Sequence, residues 1–197
     1  LHSPEGLYYS SVDAYSDHEE GKFYVSDARG ARALLTAAEW EAVAPHFGLD
    51  APPNFEDRHW HLRVAQPLRR GSESLLASAK AKLLAARAKR VPPGRDEKVL
   101  VSWNALAIRG MARAARVFGR PEWAASARRA LQFIRAQMWR HGRLLATYKD
   151  GRAHLGAYLD DYAFLILALL ELLEAEFRTA DLEFAATCRV RRGGATA

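Results

Sequence analysis

The chain has 197 residues, 49% of them hydrophobic, and its 29 Lys+Arg against 23 Asp+Glu leave a net charge of +6 with histidine neutral. That length suits one large domain or part of a bigger one, and it can bury roughly 70% of the unfolded chain's surface without help from disulfides or metal. The single cysteine, Cys188, excludes a disulfide framework, a paired-cysteine redox motif and a zinc site built on several thiolates, and it predicts a reducing, cytoplasmic setting.

The sequence opens at Leu1 with no charged segment leading into an apolar one, so no leader is predicted and the chain reads as a piece of a longer one. Leu7-Tyr8-Tyr9-Ser10 and Lys22-Phe23-Tyr24-Val25 are β-prone runs, which predicts a small β-hairpin near the N-terminus around an acidic loop of Asp13, Asp17, Glu19 and Glu20. That loop lacks the alternating spacing and central glycine of a calcium loop. A helix is expected over 27–36 and another over 37–46, the second opening on a capping box of Thr36 and Glu39. Residues 50–54, with Pro52-Pro53, read as loop. In a strand, His59-Trp60-His61 would put both imidazoles on one face, as two metal ligands or as a polar face. With no third ligand in view, the polar face is preferred, and no metal or other cofactor is predicted.

Four helical segments follow. The first opens at Ser72 and sets Leu75, Leu76, Ala79, Leu83 and Ala86 on one face until Pro92-Pro93-Gly94 stops it. The second opens at Ser102 and runs to Phe118, with Leu106, Met111, Ala114 and Phe118 inward and Arg109, Arg113, Arg116 and Arg120 outward. The third starts on Pro121 and repeats Trp123, Ala127, Leu131, Ile134 and Met138 before Gly142 at its end. The fourth, 158–174, is apolar on nearly every side and must be enclosed by others. Its apolar run, 162–170, is far shorter than the roughly 20 residues of a membrane span, so no membrane partner is expected. From Gly193 onward the chain reads as disordered. The expected division is 1–70 as a hairpin and short-helix region, 71–182 as α-hairpins, and 183–197 as a disordered or altered terminus.

The link at 120–121 is short, whereas those at 91–101 and 142–157 are long, so both long connections should emerge at one end. Trp103 and Asn104 then share a rim with Tyr158, Asp160 and Asp161. This alternation suggests a toroid of α-hairpins more than a four-helix bundle, although four helices are too few to close a ring. Asp160-Asp161 reads in two ways: as a carboxyl aimed into a pocket for acid/base work, or, preferred on sequence, as acids complementing a helix N-terminus. Arg95-Asp96-Glu97-Lys98 with Trp103 and Asn104 supplies charge, an indole and an amide suited to a sugar, or else an ordinary salt-bridged loop and a core tryptophan. The basic stripes, Lys80, Lys82, Arg87, Lys89 and Arg90 included, read as solvated helix faces, because no nucleic-acid-binding signature accompanies them.

Tyr9-Ser10-Ser11-Val12-Asp13-Ala14, Glu19-Glu20-Gly21-Lys22-Phe23-Tyr24-Val25, Asn54-Phe55-Glu56, Arg95-Asp96-Glu97-Lys98-Val99-Leu100, Ser102-Trp103-Asn104 and Leu159-Asp160-Asp161-Tyr162-Ala163-Phe164 occur in this order. Together they resemble the thioredoxin-domain-containing spermatogenesis-associated family over about residues 4–182. The chain departs from that pattern at Tyr15, Ser26 and Ala105, where the family tends to carry an acid, Trp and Gly. The resemblance implies a mainly α fold that is part of an (α/α) six-hairpin toroid, of the kind found in glycosidases and N-acylglucosamine 2-epimerases, without the family's thioredoxin-like domain.

By that analogy the rim would bind a saccharide, with Asp161 or Asp160 as acid/base, Trp103 and Tyr158 as platforms and Asn104 as hydroxyl partner. Hydrolysis needs a second carboxyl about 5–9.5 Å away, for which Glu20 or Asp96 stands, whereas epimerisation would use His154 as base. The alternative is a non-catalytic module: an incomplete toroid completed by another chain, by a second copy or by the rest of the ring.

Overall fold

In a computed structural model, residues 1–189 of the chain are described. The expected disorder from Gly193 onward lies outside the described residues. The order is β1 (Ser11–Val12), β2 (Tyr15–Ser16), β3 (Glu19–Glu20), α1 (Ala28–Leu34), α2 (Ala37–Phe47), α3 (Glu73–Arg87), β4 (Arg95–Asp96), β5 (Val99–Leu100) and α4 (Val101–Phe118). Then come α5 (Pro121–Phe133) running into a π-helical stretch Ile134–Met138, β6 (Trp139–Arg140), β7 (Arg143–Lys149), β8 (Arg152–Gly156), α6 (Leu159–Ala175) and α7 (Thr179–Arg189). The fold is mainly α with a few short strands. No helix among the described residues is long and apolar enough to cross a membrane.

Two compact units form, one from Asp13–Gly94 and one from Leu1–Val12 together with the chain from Arg95 on. The expected boundary near residue 70 does not mark this division. α3 packs on α1 and α2 and so belongs with them, while β1 leaves that stretch to pair with β4 (Ser11 opposite Asp96, Val12 opposite Arg95).

In the unit Asp13–Gly94 the N-terminal hairpin exists, but its strands are β2 and β3 rather than 7–10 and 22–25. Asp17 and His18, at φ of 50° and 64°, make the tight turn of a two-residue loop inside what read as an acidic loop. Lys22–Val25 cannot extend because the Tyr24 and Val25 N–H groups both turn back onto the Gly21 carbonyl. Lys22 Nζ lies 2.9 Å from Asp17 and 2.8 Å from Glu19, neutralising part of the acidic stretch. His59–His61 is no continuous strand: His59 bridges Phe55 and Trp60 bridges Ser26, each in isolation, so the alternation argument for its imidazoles does not apply. α1 and α2 start where their caps predict. Asp27 accepts from the Arg29 and Gly30 N–H groups, and Thr36 and Glu39 exchange side-chain and backbone bonds at 3.2 and 2.7 Å. Ser72 precedes α3, but its hydroxyl caps nothing.

Glu39 also ties α2 to α3. Its buried carboxylate accepts from Lys82 Nζ at 2.7 Å and Ser78 Oγ at 2.7 Å. Lys82 first, then Ser78 and the Thr36 N–H, hold its pKa down from 4.5 to about 2. A carboxyl depressed in the folded state stabilises fully above its unfolded pKa and loses that contribution as pH falls through the folded one. Glu39→Gln keeps a capping box but removes the charge facing Lys82. We expect it to lower the urea midpoint at pH 7, with the gap to the parent closing as pH drops from 4.5 to about 2. An equal midpoint at pH 7 would refute the assignment.

The second unit centres on α4 against α6, with α5 and α7 alongside. α4 buries Ala105, Ile108, Ala112 and Ala115, and the first three share a core cluster with Leu165, Ala168, Leu169 and Leu172 of α6. This corrects the expected inward face: Leu106 and Phe118 are exposed, and Met111 and Ala114 are only half-buried. Small residues occupy the seam because they let the two backbones approach. α5 buries Ala127 and Leu131 with Ile134 and Met138 as expected, but helical structure ends at Met138. Gly142 instead closes a hairpin turn with His141 (φ 49° and 71°), and Asp150-Gly151 closes a second (49° and 76°).

The two long connections are therefore not loose. β5 from one pairs with β7 from the other (Val99 opposite Tyr148, Leu100 opposite Thr147), and β6 and β8 flank β7. The expected break at 183 is also absent up to Arg189, since α7 carries Phe184, Ala185 and Cys188 into the core. Burial pushes the Cys188 thiol up to about 11, which keeps it protonated and unreactive at neutral pH.

Candidate functional site

α4 and α6 begin side by side, and one buried carboxylate fastens them. Asp161, third residue of α6, accepts from the Tyr158 N–H through Oδ2 at 2.9 Å and from the Ser102 N–H through Oδ1 at 3.1 Å. Each helix start carries unpaired N–H groups and partial positive charge, so an anion shared between two of them satisfies both at once. Both oxygens of Asp161 are thus engaged by backbone, which is the dipole-complementing role the sequence preferred. α4 needs this help because its own cap position is Leu100, which has no side-chain acceptor.

Asn104 is likewise turned inward, at 1% exposure. Its Oδ1 accepts from the Tyr8 N–H at 2.9 Å, and its Nδ2 donates to the carbonyls of Tyr8 at 2.9 Å and Leu100 at 3.0 Å. The amide mimics a strand edge for Tyr8 and holds the N-terminal segment on α4, instead of facing solvent as a hydroxyl partner.

Around this clamp the rim is apolar and open. Trp103 is 53% exposed and Tyr158 is 71% exposed. Because Asp161 binds the N–H of Tyr158 and of the residue before Trp103, both aromatic side chains leave the backbone within a residue of the same carboxylate. Asp160 is exposed and has no hydrogen-bond or ion-pair partner among the described residues. Leu159 and Leu155 are exposed beside it in sequence, Leu155 at φ 63°, a left-handed conformation that leucine rarely adopts. Sequence reasoning missed Leu155; the Asp-Gly turn that creates β8 was the readable signal. His154 is exposed on β8 opposite Thr147 of β7. The sheet is anchored to α6 by the Leu144 N–H donating to the Tyr162 hydroxyl at 2.9 Å.

The remaining acids belong to different units. Asp96, on β4, accepts from the Lys98 N–H at 3.2 Å and pairs with Lys98 Nζ at 3.2 Å. The Lys98 N–H above all holds its carboxyl below the usual range. Glu20 belongs to the unit Asp13–Gly94, exposed on β3, where it lines a small cleft of about 190 Å³ with Phe55, Glu56, Arg58 and His59. Two arginines of the expected stripe pair with acids of α6, Arg116 with Glu171 at 3.1 Å and with Glu174, and Arg109 with Glu171 at 4.0 Å, whereas Arg120 pairs with Glu122 of α5 at 2.5 Å. No group of three or more His, Cys, Asp or Glu is placed to hold a metal ion among the described residues.

No protein-family model matches the chain. It is 29% identical to spermatogenesis-associated protein 20 of Homo sapiens over 91% of its own length and 28% of that protein. It is 28% identical to the Rattus norvegicus protein of the same name over the same shares. An uncharacterized protein of Caenorhabditis elegans matches at 27% identity over 85% of this chain and 28% of its own length. The chain therefore spans little more than a quarter of these relatives. The family resemblance carried by the six motifs is borne out by these matches.

Proposed function

We propose that the rim formed by the starts of α4 and α6 is a saccharide-binding edge belonging to one part of a six-hairpin (α/α) toroid. The observation that carries this reading is the pair of exposed aromatics, Trp103 and Tyr158, set on either side of the Asp161 clamp. An apolar sugar face stacks on an indole or phenol ring, and a neighbouring carboxylate accepts from its hydroxyls. Asp160 is the acid at the rim with no partner among the described residues, and it takes the acid/base role; Asp161 positions the two platforms from beneath. His154 and Asp96 stand as further polar groups for epimerase-like or glycosidase-like chemistry respectively. The analogy with carbohydrate-active toroids supports the reading at the level of fold only.

Titration against a panel of mono- and oligosaccharides tests it. Trp103→Ala and Tyr158→Ala should each weaken the best binder by roughly 2–10-fold, the yield of one aromatic stacking contact, with melting unchanged. If no sugar in the panel binds the parent chain, the reading fails.

A second reading, a non-catalytic module completed by neighbouring helices or a second copy, is favoured by a different observation. Leu106, Val117 and Phe118 of α4 with Leu167 and Leu170 of α6 are exposed apolar residues. A toroid would cover such faces with adjacent hairpins. Concentration-dependent self-association lost in Phe118→Asp would favour this reading.

A further inference from the structure

In the unit Asp13–Gly94, α1 and α3 lie together and leave an open cleft of about 610 Å³. That is within the roughly 300–1,000 Å³ typical of small-molecule pockets. Its walls are apolar: Ala31 and Leu34 from α1, Leu83 and Leu84 from α3, with Phe47 and Leu62. Its charge is mainly positive, three cations against one acid. Lys80, Leu83, Leu84 and Arg87 recur at helical spacing, so one stripe of α3 offers the cleft two leucines bracketed by two cations.

Neither cation has a carboxylate partner among the described residues. Arg87 rests over the rings of Phe23 and Tyr24 at 5.7 and 5.8 Å, and Lys80 is exposed. Arg90, also at the cleft, is already spent on the carbonyls of Phe23 at 2.9 Å and Val25 at 2.6 Å. The one acid in the lining, Asp27, has both oxygens engaged by the Arg29 and Gly30 N–H groups.

We infer that this cleft is a binding site for an amphiphilic organic anion, a hydrocarbon body with a single carboxylate head. The body displaces water from the Leu34, Leu83 and Leu84 surface, and the head pairs with Lys80 and Arg87. A neutral body of the same length gains only the first term, and an amine of that length meets like charge. The site uses none of the rim residues at the starts of α4 and α6 and is independent of the saccharide reading.

Calorimetric titration of the chain with decanoate, decanol and decylamine, all below their aggregation limits, tests it. Decanoate should bind at least about tenfold more tightly than decanol, the scale of one charge-assisted hydrogen bond, and decylamine should not bind. Lys80→Glu with Arg87→Glu should cost decanoate about tenfold or more while leaving decanol binding unchanged. Leu84→Asp, at an exposed position, should abolish decanoate binding with the far-ultraviolet spectrum intact. In the unaltered chain, decanoate should shift the methyl resonances of Ala31, Leu34 and Leu83 and leave those of Leu165 and Leu169 unmoved. Absence of decanoate binding, equal affinity for decanol, or shifts confined to other methyls would each overturn the inference. So would binding only to anionic vesicles.

Discussion

Arg128→Met should lower the stability of the unit from Arg95 on by about 3–5 kcal/mol, the usual cost of stripping one partner from a buried ion pair. Arg128 projects from α5 to the junction where α6 ends and α7 begins. Its Nη1 donates to Asp181 in the first turn of α7 at 2.6 Å, with both side chains about a tenth exposed or less. Its Nη2 donates to the Glu176 carbonyl at 2.8 Å and reaches the Leu172 carbonyl at 3.5 Å. The Leu172 carbonyl also takes the Glu176 N–H at 2.9 Å, whereas the Glu176 carbonyl, at the end of α6, has no backbone donor among the described residues. Nε lies 3.2 Å from Glu176 Oε2 without the alignment of a hydrogen bond.

Methionine would fill much of the space but leave the Asp181 carboxylate buried without its cation and the Glu176 carbonyl without its donor. Urea unfolding reads the loss as a lower midpoint at unchanged slope. The double variant Arg128→Met with Asp181→Leu should recover most of it, because the larger part of the cost is the orphaned charge. A single-variant loss below about 1 kcal/mol, the size of a surface pair, would refute the role given to Arg128.

Asp161→Ala should cost about 1–4 kcal/mol, since it removes two capping bonds worth about 0.5–2 kcal/mol each. Asp160→Ala, one residue away and exposed, should stay within about 0.5 kcal/mol. Asp161→Asn retains one acceptor oxygen and should fall between the two. This contrast separates the two acids by what they do. Loss of saccharide binding in Asp161→Ala would come with lost stability, through displacement of Trp103 and Tyr158, whereas loss in Asp160→Asn would come without it. Equal denaturation midpoints for Asp161→Ala and the parent chain would refute the clamp.

How much of this was legible in the sequence follows the range of the forces involved. Thr36 with Glu39, Pro121 at a helix start and Pro92-Pro93 beyond a helix end act within a turn of the chain, so the helices appear close to where those residues predict them. His141-Gly142 and Asp150-Gly151 are equally local signals of two-residue turns, and reading them would have turned the expected loop at 142–157 into β7 and β8. α7 is different: its helix is held by Arg128, far away in sequence, and by Phe184 entering a core built from other helices.

The sequence by itself determined the mainly α character, the approximate positions of α1 to α6 and the shared end from which α4 and α6 start. Those follow from capping, periodicity and link length, which are properties of neighbouring residues. Only the tertiary structure decided what the chemistry-bearing residues there face. An Asp in the first turn of a helix looks the same in sequence whether it meets solvent or a second helix. The Ser102 N–H, brought beside it by the packing of α4 on α6, makes Asp161 a clamp and leaves Asp160, Trp103 and Tyr158 as the exposed side chains of the rim.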